Sequence, residues 1–563
     1  MIRKIAVLML IGALSVACVA PRSISTPGAT PTMVAPTATR KPSPPTATPT
    51  PMPPTATPGP LRVWFEPAVP GALRSLVLMV LSARQAAPSR SAAGADLRVG
   101  PGHPVPIARW VYAVVAPFPT LVDQVRWADV RAFWAGKTGA LAELADGKKT
   151  PTLFVTAGAL SALRGLLGEP SAQAPISITA AADLVDSAWT ARPNAWSIVP
   201  FDELQPRWKV LSVDGMSVLD KALDVDRYPL TVSMGALGGE SQRLASALVK
   251  DGKTITNHDP ARMTVLVMTG VTALVRGTAD RMENKGVLYP AEKIGPLLKD
   301  ADLTHISNEI SFTADCPPPD PNSQSLVFCS DPKYMHLLRA VGTDVIELTG
   351  NHVKDYGSQP MLDTLDMYDR EGLAYFGGGR NLEDARKPLI IEKNGVKFGF
   401  IGCNPVGPPN AWATEERPGA APCDYEYVHA ELSKLKAQVD VPIATLQYWE
   451  FYQYEPTPQQ RVDFRGMVDA GAVIVSGSQA HHPQAFEFYK GAFIHYGLGN
   501  LFFDQMWSTG TRQEIVDRHV IYQGRHISTE LHTYLLEDYA QPRPMTPEER
   551  RELLKAVFKA SGW

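Results

Sequence analysis

From Leu61 onward, short apolar runs alternate with polar, Gly- and Pro-containing stretches, and several of the intervals carry helical spacing, so the pattern predicts an α/β architecture. Across residues 61–259 it predicts strands at 61–65, 111–116 and 153–156, helices at 181–189 and 218–223, and a short buried helix over 76–81. The alternation resumes from about Arg262 to Asp504, with apolar strands expected at 263–268, 345–349, 398–402, 443–446 and 473–476. Polar, Gly-rich loops follow those strands. Beyond Trp507 the chain is charged and ends in an amphipathic helix over 547–558, with Leu553, Leu554, Val557 and Phe558 on one face.

The beginning of the chain follows neither period. Arg3 and Lys4 precede an apolar run at 5–14 and then small residues, which is the pattern of a secretion signal. Ser15-Val16-Ala17-Cys18 is close to a lipobox, so Cys18 is the expected site of lipidation; the same residues would also serve an ordinary signal peptidase. Residues 19–60 are rich in Pro and Thr, and Pro-Thr-Ala-Thr begins at Pro36, Pro45 and Pro54. Proline fixes φ and removes backbone donors, so an extended stalk is expected there. No later apolar stretch reaches the ~18 residues that span a bilayer. The expected organisation is a lipoprotein signal at 1–18, a stalk at 19–60, α/β domains at 61–259 and 260–510, and a C-terminal extension at 511–563 packing on the second. The chain is expected outside the cytoplasm, lipid-anchored on the extracytoplasmic face of a bacterial membrane.

Composition narrows the partners. With 54 basic and 57 acidic residues the formal charge is −3, and no basic patch marks a nucleic-acid surface. Export makes disulfides the natural state of the four cysteines after Cys18. Three connectivities are possible, and the sequence-local pairs Cys316 with Cys329 and Cys403 with Cys423 are expected because each closes a Pro-rich loop, contributing about 3 kcal/mol on the chain-entropy model.

Candidate chemistry lies in three loops after strands: Thr349-Gly350-Asn351-His352, Leu446-Gln447-Tyr448-Trp449, and Ser476-Gly477-Ser478-Gln479-Ala480-His481. In α/β sheets, ligand sites gather beyond the carboxyl ends of strands. An Asn-His pair and a Gly-x-x-x-His loop offer oxygen and imidazole ligands to a divalent metal; the same residues also cap helices and close turns.

The order of segments over roughly 240 residues resembles that of CapA proteins of capsule and poly-γ-glutamate synthesis. Residues 348–357 are similar to the family's Asn-Asn-His-x-x-Asp-Tyr-Gly motif, and Tyr375-Phe376-Gly377-Gly378-Gly379 with Asp384-Ala385 to its Gly-x-Gly and following helix. Gly477 to His481, then Gln484 and Glu487, resemble the Gly-x-His-Pro-His segment, and residues 495–504 the family's Tyr-Ser-Leu-Gly-Asn-Phe-x-Phe-Asp ending.

The resemblance implies a calcineurin-type metallophosphoesterase-like αββα sandwich whose relatives hold two metals. Three expected ligand positions are replaced in this chain. Gly270-Val271 stands for Gly-Asp, Gln447-Tyr448-Trp449 for His-Trp-Gly, and Gln479 for the first His of Gly-x-His-Pro-His. Valine cannot coordinate, and an amide is a weaker ligand than imidazole. Glu309, Asn351, His352 and His481 survive, with Ser307 in an Asn position. Three readings follow. Glu309, Asn351 and His481 hold one divalent metal (Mn, Fe or Zn), with His352 and Glu309 as the catalytic candidates and His352 as general acid. Alternatively Gln447, Gln479, Asn351 and His352 hydrogen-bond a polymer, or these groups only satisfy one another. His305 and Glu450 are candidates to compensate for the replaced ligands, His482 is expected in a loop, and Asp355 is expected to cap the helix near Gly357.

Residues 111–118, the 127–136 helix and turn, 195–202 and Tyr228-Pro229-Leu230 faintly resemble type 2 periplasmic solute-binding proteins. The leading expectation is a surface lipoprotein of capsule or exopolymer biosynthesis that binds an anionic polymer such as poly-γ-glutamate or capsular polysaccharide. The alternatives are a metal-dependent hydrolase of that polymer or of a phosphoester, and an extracytoplasmic solute receptor.

Overall fold

The computed structural model describes residues 59–563 apart from 146, 148 and 251, so the signal, Cys18 and almost all of the stalk lie outside the described residues. Pro60–Trp563 is a single compact unit. Its first part is organised by the strand Val105–Pro117, which pairs with Thr231–Gly238, Ala195–Pro200, Trp208–Val213 and Ile255–Thr256. The apolar run Val111 to Ala116 is fully buried, as a strand with neighbours on every side requires.

Two helix expectations in this part are corrected. Residues 218–223 form successive turns, with Asp220 N bonded to Ser217 O and Leu223 N to Asp220 O. Those bonds span three residues each and close separate turns rather than the i→i+4 ladder of an α-helix. The helix Gly71–Val80 exists, but only a stripe of it is buried: Leu73 and Val77 are inside while Met79 is 64% exposed. The expected helix at 181–189 is realised as a 3-10 turn, Ala181–Asp183, running into Leu184–Thr190.

In the second part Met263–Thr272 is buried along its whole length and centres a mixed sheet. Parallel to it and outward run Leu303–Asn308, Val345–Glu347 and Ala374–Phe376; on its other side Gln513–Tyr522, Arg525–Glu537 and Gln541–Pro544 pair antiparallel. A six-stranded sheet faces it, ordered Leu389–Lys393, Val396–Cys403, Val441–Gln447, Ile474–Ser478, Ala492–His495, Phe486–Tyr489.

Strand alternation builds the layers. Leu266 and Met268 point to the facing sheet and pack in one cluster with Phe398, Phe400, Ile443, Ile474 and Phe493. Val265 and Val267 point outward to helix residues Ile294, Leu298, Leu338 and Leu365. On the far side Leu432, Phe464 and Met467 cover Ile401, Ala444 and Val475. Two sheets between two helical layers are the αββα sandwich that the sequence resemblance implies.

The C-terminal segment does more than pack on this sandwich. Gln513–Tyr522 is buried throughout and hydrogen-bonds along the central strand from Met263↔Tyr522 to Met268↔Asp517. The helix Pro547–Ala560 then lays Leu553, Leu554, Val557 and Phe558 against the intersheet cluster, started by a Thr546–Glu549 capping box. The first part is joined firmly to the second: Phe118 sits among Phe486, Phe488, Phe493, Phe558 and Trp563, and Met263, Val520, Tyr522 and Ile527 belong to the first part's core. Both expected disulfides form, with Cα separations of 5.7 Å for Cys316–Cys329 and 5.0 Å for Cys403–Cys423. Among the described residues, no helix is long and apolar enough to cross a membrane.

Candidate functional site

The parallel strands of both sheets end at one edge, and the loops beyond them bring together the residues singled out in the sequence. Glu309 follows Leu303–Asn308, and Asn351 and His352 follow Val345–Glu347, all from the larger sheet. Gln447 ends Val441–Gln447, and Gln479 and His481 follow Ile474–Ser478, from the smaller. The Gln447 side chain joins the two: its Nε2 donates to Asn351 Oδ1 at 2.8 Å and to Gln479 Oε1. Gln479 and His481 hold φ of 76° and 49°, left-handed values that non-glycine residues adopt at a cost and that concentrate at functional loops. His481 Nδ1 meets Asn500 Oδ1 at 2.8 Å, and burial pushes its pKa down, favouring the neutral ring.

Glu309 has a different environment. It is 2% exposed, and neither carboxylate oxygen has a hydrogen-bond partner. Burial pushes its pKa up to about 7, against the pull of His352, whose Nε2 lies 3.7 Å away. His352 Nδ1 in turn meets Asp355 Oδ2 at 2.6 Å. Burial opposes protonation of His352, but the Asp355 hydrogen bond and the Glu309 charge prevail and hold its pKa above the ordinary value. Asp355 therefore does not cap the following helix, Ser358–Glu371, whose Gly357 cap makes no side-chain bond. Its carboxylate is taken by His352 and by Phe328 N at 2.9 Å.

Several residues of the site were not singled out in the sequence. The Phe328 ring lies 4.4 Å from that of His352, and Arg276 stacks over Phe328 and Phe503 while its Nε and Nη2 donate to the Asp504 carboxylate. Tyr452 stacks on His481 at 6.2 Å, touches Trp507 edge-on at 5.8 Å and donates its hydroxyl to Glu450. Trp449, Tyr452 and Trp507 are 55%, 41% and 61% exposed. The sequence carries these aromatics, but only the fold shows which of them are exposed.

The donor set does not fit a dinuclear metal centre. Val271 lies in an apolar cluster with Ala273, Val275, Ile310, Phe328 and Phe503, and Gln447 Nε2 is spent on two amide oxygens. Among the described residues, no three His, Cys, Asp or Glu side chains are gathered to hold an ion. His305 does not compensate: it is buried four residues, about 13 Å, down its strand from Glu309, with Nε2 3.1 Å from Glu347. Glu450 lies nearer: it accepts the hydroxyl of Tyr452, whose ring stacks on His481. His482 is buried in the loop against the Tyr454 ring.

Residues 265–505 match the family model described as bacterial capsule synthesis protein PGA_cap. The capsule biosynthesis protein CapA of Bacillus anthracis is 26% identical over 318 residues, covering 54% of this chain and 76% of that one. The PGA biosynthesis protein CapA of Bacillus subtilis (strain 168) is 28% identical over 245 residues, 43% of this chain and 64% of that one. Among solved structures, a 5'-nucleotidase precursor from Thermus thermophilus aligns over 53% of this chain and 58% of its own, at TM-score 0.29 and 14% identity. An ABC-type phosphate transport receptor from Vibrio cholerae aligns over 34% of this chain and 94% of its own, at TM-score 0.28 and 10% identity.

Proposed function

This chain belongs, through residues 265–505, to the CapA-type family of capsule and poly-γ-glutamate biosynthesis proteins, and from that premise we propose that it binds an anionic exopolymer, poly-γ-glutamate or capsular polysaccharide, during its production outside the cell. In this reading Cys18 carries the lipid anchor and the Pro/Thr stalk holds the cleft away from the membrane. The observation that supports binding over dinuclear hydrolysis is the amide chain Asn351–Gln447–Gln479, which closes the ligand positions with neutral, mutually bonded groups. The polymer would lie along the rim marked by Tyr452 and Trp507, whose faces offer apolar contact without charge.

The test is binding of labelled poly-γ-glutamate and capsular polysaccharide to the detergent-solubilised full chain, with polymer length followed over time. Retention of intact polymer, weakened at least about tenfold by Trp507→Ala, is expected. A polymer that does not bind would end the proposal.

A second reading, a hydrolase acting on the same polymer or on a phosphoester, draws on the Asp355–His352–Glu309 arrangement. The Asp355 bond fixes the His352 ring and leaves Nε2 toward Glu309, 3.7 Å away, free of a hydrogen bond as a general acid requires. Time-dependent shortening of the polymer, or release of phosphate from an ester, abolished in His352→Ala of unchanged thermal stability, would establish it over simple binding.

A further inference from the structure

Where the first part of the chain meets the C-terminal helix there is a cavity of about 490 Å³, a size that takes a small ligand. Leu121, Leu144, Pro193, Phe558 and Trp563 give it an apolar wall. Phe558 and Trp563 are held in place by each other and by Phe118, at ring separations of 6.0, 6.2 and 5.9 Å. The charged side chains of the lining are Arg192, Lys555 and Lys559 against Glu143. Lys555 is answered by Glu552, 3.6 Å away on its own helix, while Arg192, Lys559 and Glu143 have no ion-pair partner among the described residues. Two unpaired basic groups against one acidic group leave an excess of one positive charge. Lys555 and Lys559 also sit four residues apart on one helix face, where like charges repel. The carbonyls at that helix end are already taken: those of Val557, Phe558, Lys559 and Ala560 accept from Ser561 N, Trp563 N, Gly562 N and Arg461 Nη2. Arg192 gives one Nη1 donor to Trp189 O at 2.6 Å and stacks on the Trp189 ring; among the described residues its other donors meet no acceptor. Burial and the charge of Arg207 push its pKa down, as for a cation without a counter-ion.

A small polar anion would leave the apolar wall against water, and a neutral apolar molecule would leave the cations unanswered. A polyanion would bring more charge than the lining can balance. We propose that this cavity binds an apolar monocarboxylate, an aliphatic or aryl chain ending in one carboxylate, with its body on the Leu144, Phe558 and Trp563 wall and its head on Arg192, Lys555 and Lys559. One carboxylate matches the excess of one positive charge, and the planar guanidinium of Arg192 suits its two oxygens. The site lies apart from the strand-end cleft and does not depend on the polymer-binding reading.

Isothermal titration calorimetry tests this on the full chain in nanodiscs of neutral lipid, with empty nanodiscs subtracted, at about pH 7.5 where lysine and carboxylate are both ionised. The probes are phenylbutyrate, phenylbutyramide, which keeps the body and loses the charge, and acetate, which keeps the charge and loses the body. Phenylbutyrate is expected to bind at least about tenfold tighter than either. The double variant Lys555→Ala with Lys559→Ala changes only exposed side chains, so it should keep the melting temperature and lose the margin of acid over amide. Equal affinity for acid and amide overturns the anion site, and equal affinity for phenylbutyrate and acetate overturns the apolar one. A margin that survives both the lysine variant and Arg192→Gln puts the binding elsewhere and overturns the assignment. No binding of phenylbutyrate overturns it as well. A γ-glutamyl pentamer that binds through Lys555 and Lys559 where phenylbutyrate does not would overturn the ligand class and give the cavity to the polymer.

Discussion

The two groups of polar residues that meet at the strand-end edge, those around Gln447 and those around Glu309, are built on opposite principles. The side chains from the six-stranded sheet are bonded: Gln447 donates to Gln479 and across to Asn351 of the larger sheet, and His481 is tied to Asn500, so these polar groups are spent on neighbours. On the side of the larger sheet, Glu309 is as deeply buried as Gln447, both at 2% exposure, yet makes no hydrogen bond. Burial alone therefore does not distinguish structure from function here; satisfaction does. The amide side is organised for stability and the acid side gives stability up, the usual sign of a group kept for something that binds.

The strongest way to break that comparison is to remove the amide at its centre. Gln447→Leu keeps the volume but leaves Asn351 Oδ1 and Gln479 Oε1 without their shared donor. At about 1–3 kcal/mol for a buried unsatisfied group, with Asn351 partly reached by water, a loss of about 3 kcal/mol is expected in urea unfolding. A change below about 0.5 kcal/mol would mean the amide chain is not structural.

On the acid side the parallel change should have the opposite sign. Glu309 is pushed from 4.5 up to about 7, so across that window the folded chain keeps a proton the unfolded chain releases. Stability then falls as pH rises from about 4.5 to 7 and stays low above it. Glu309→Gln removes the ionisation and is expected to stabilise the chain by on the order of 2 kcal/mol at pH 8, with little effect at pH 5. Unfolding curves at the two pH values check this; destabilisation at pH 8 would show that Glu309 has a partner in the folded chain.

The contrast between the two sides was only half legible in the sequence. Asn351, His352, Gln479 and His481 could be placed at strand ends because apolar runs precede them, and the cysteine couples because each closes a short loop. The bond from Gln447 to Asn351 joins residues 96 apart, and that from Phe328 to Asp355 joins residues 27 apart; only the fold decides such pairings. Asp355 was misread because a carboxylate three residues after a histidine is as well placed to bond its ring as to cap the next helix. Gln513–Tyr522 escaped notice for a different reason. Its Glu514, Asp517, Arg518 and His519 give it the look of a surface segment, yet all four are buried. Asp517 pairs with His495 at 2.7 Å, His519 with Thr529 at 2.9 Å, and Arg518 with Glu530. A central strand that carries its own polar partners hides from a reading based on hydrophobic alternation.

The smallest expected effect sharpens the comparison within the acid side itself, by separating Glu309 from His352. Asp355→Asn keeps an acceptor for Phe328 N and a neutral partner for His352 Nδ1, so the fold should lose no more than about 1 kcal/mol. What changes is charge. Burial already disfavours the protonated ring, and with the Asp355 carboxylate gone only Glu309 and Glu450 remain to favour it, so the His352 pKa should drop from above its ordinary value. Stability tied to protonated His352 is full at low pH and lost as pH rises through its folded pKa, and in the variant that loss should begin at lower pH. Following the His352 Cε1–H signal by NMR against pH reads the shift directly. An unchanged titration would assign the raised pKa to Glu309, making the buried carboxylate and His352 one proton-sharing unit.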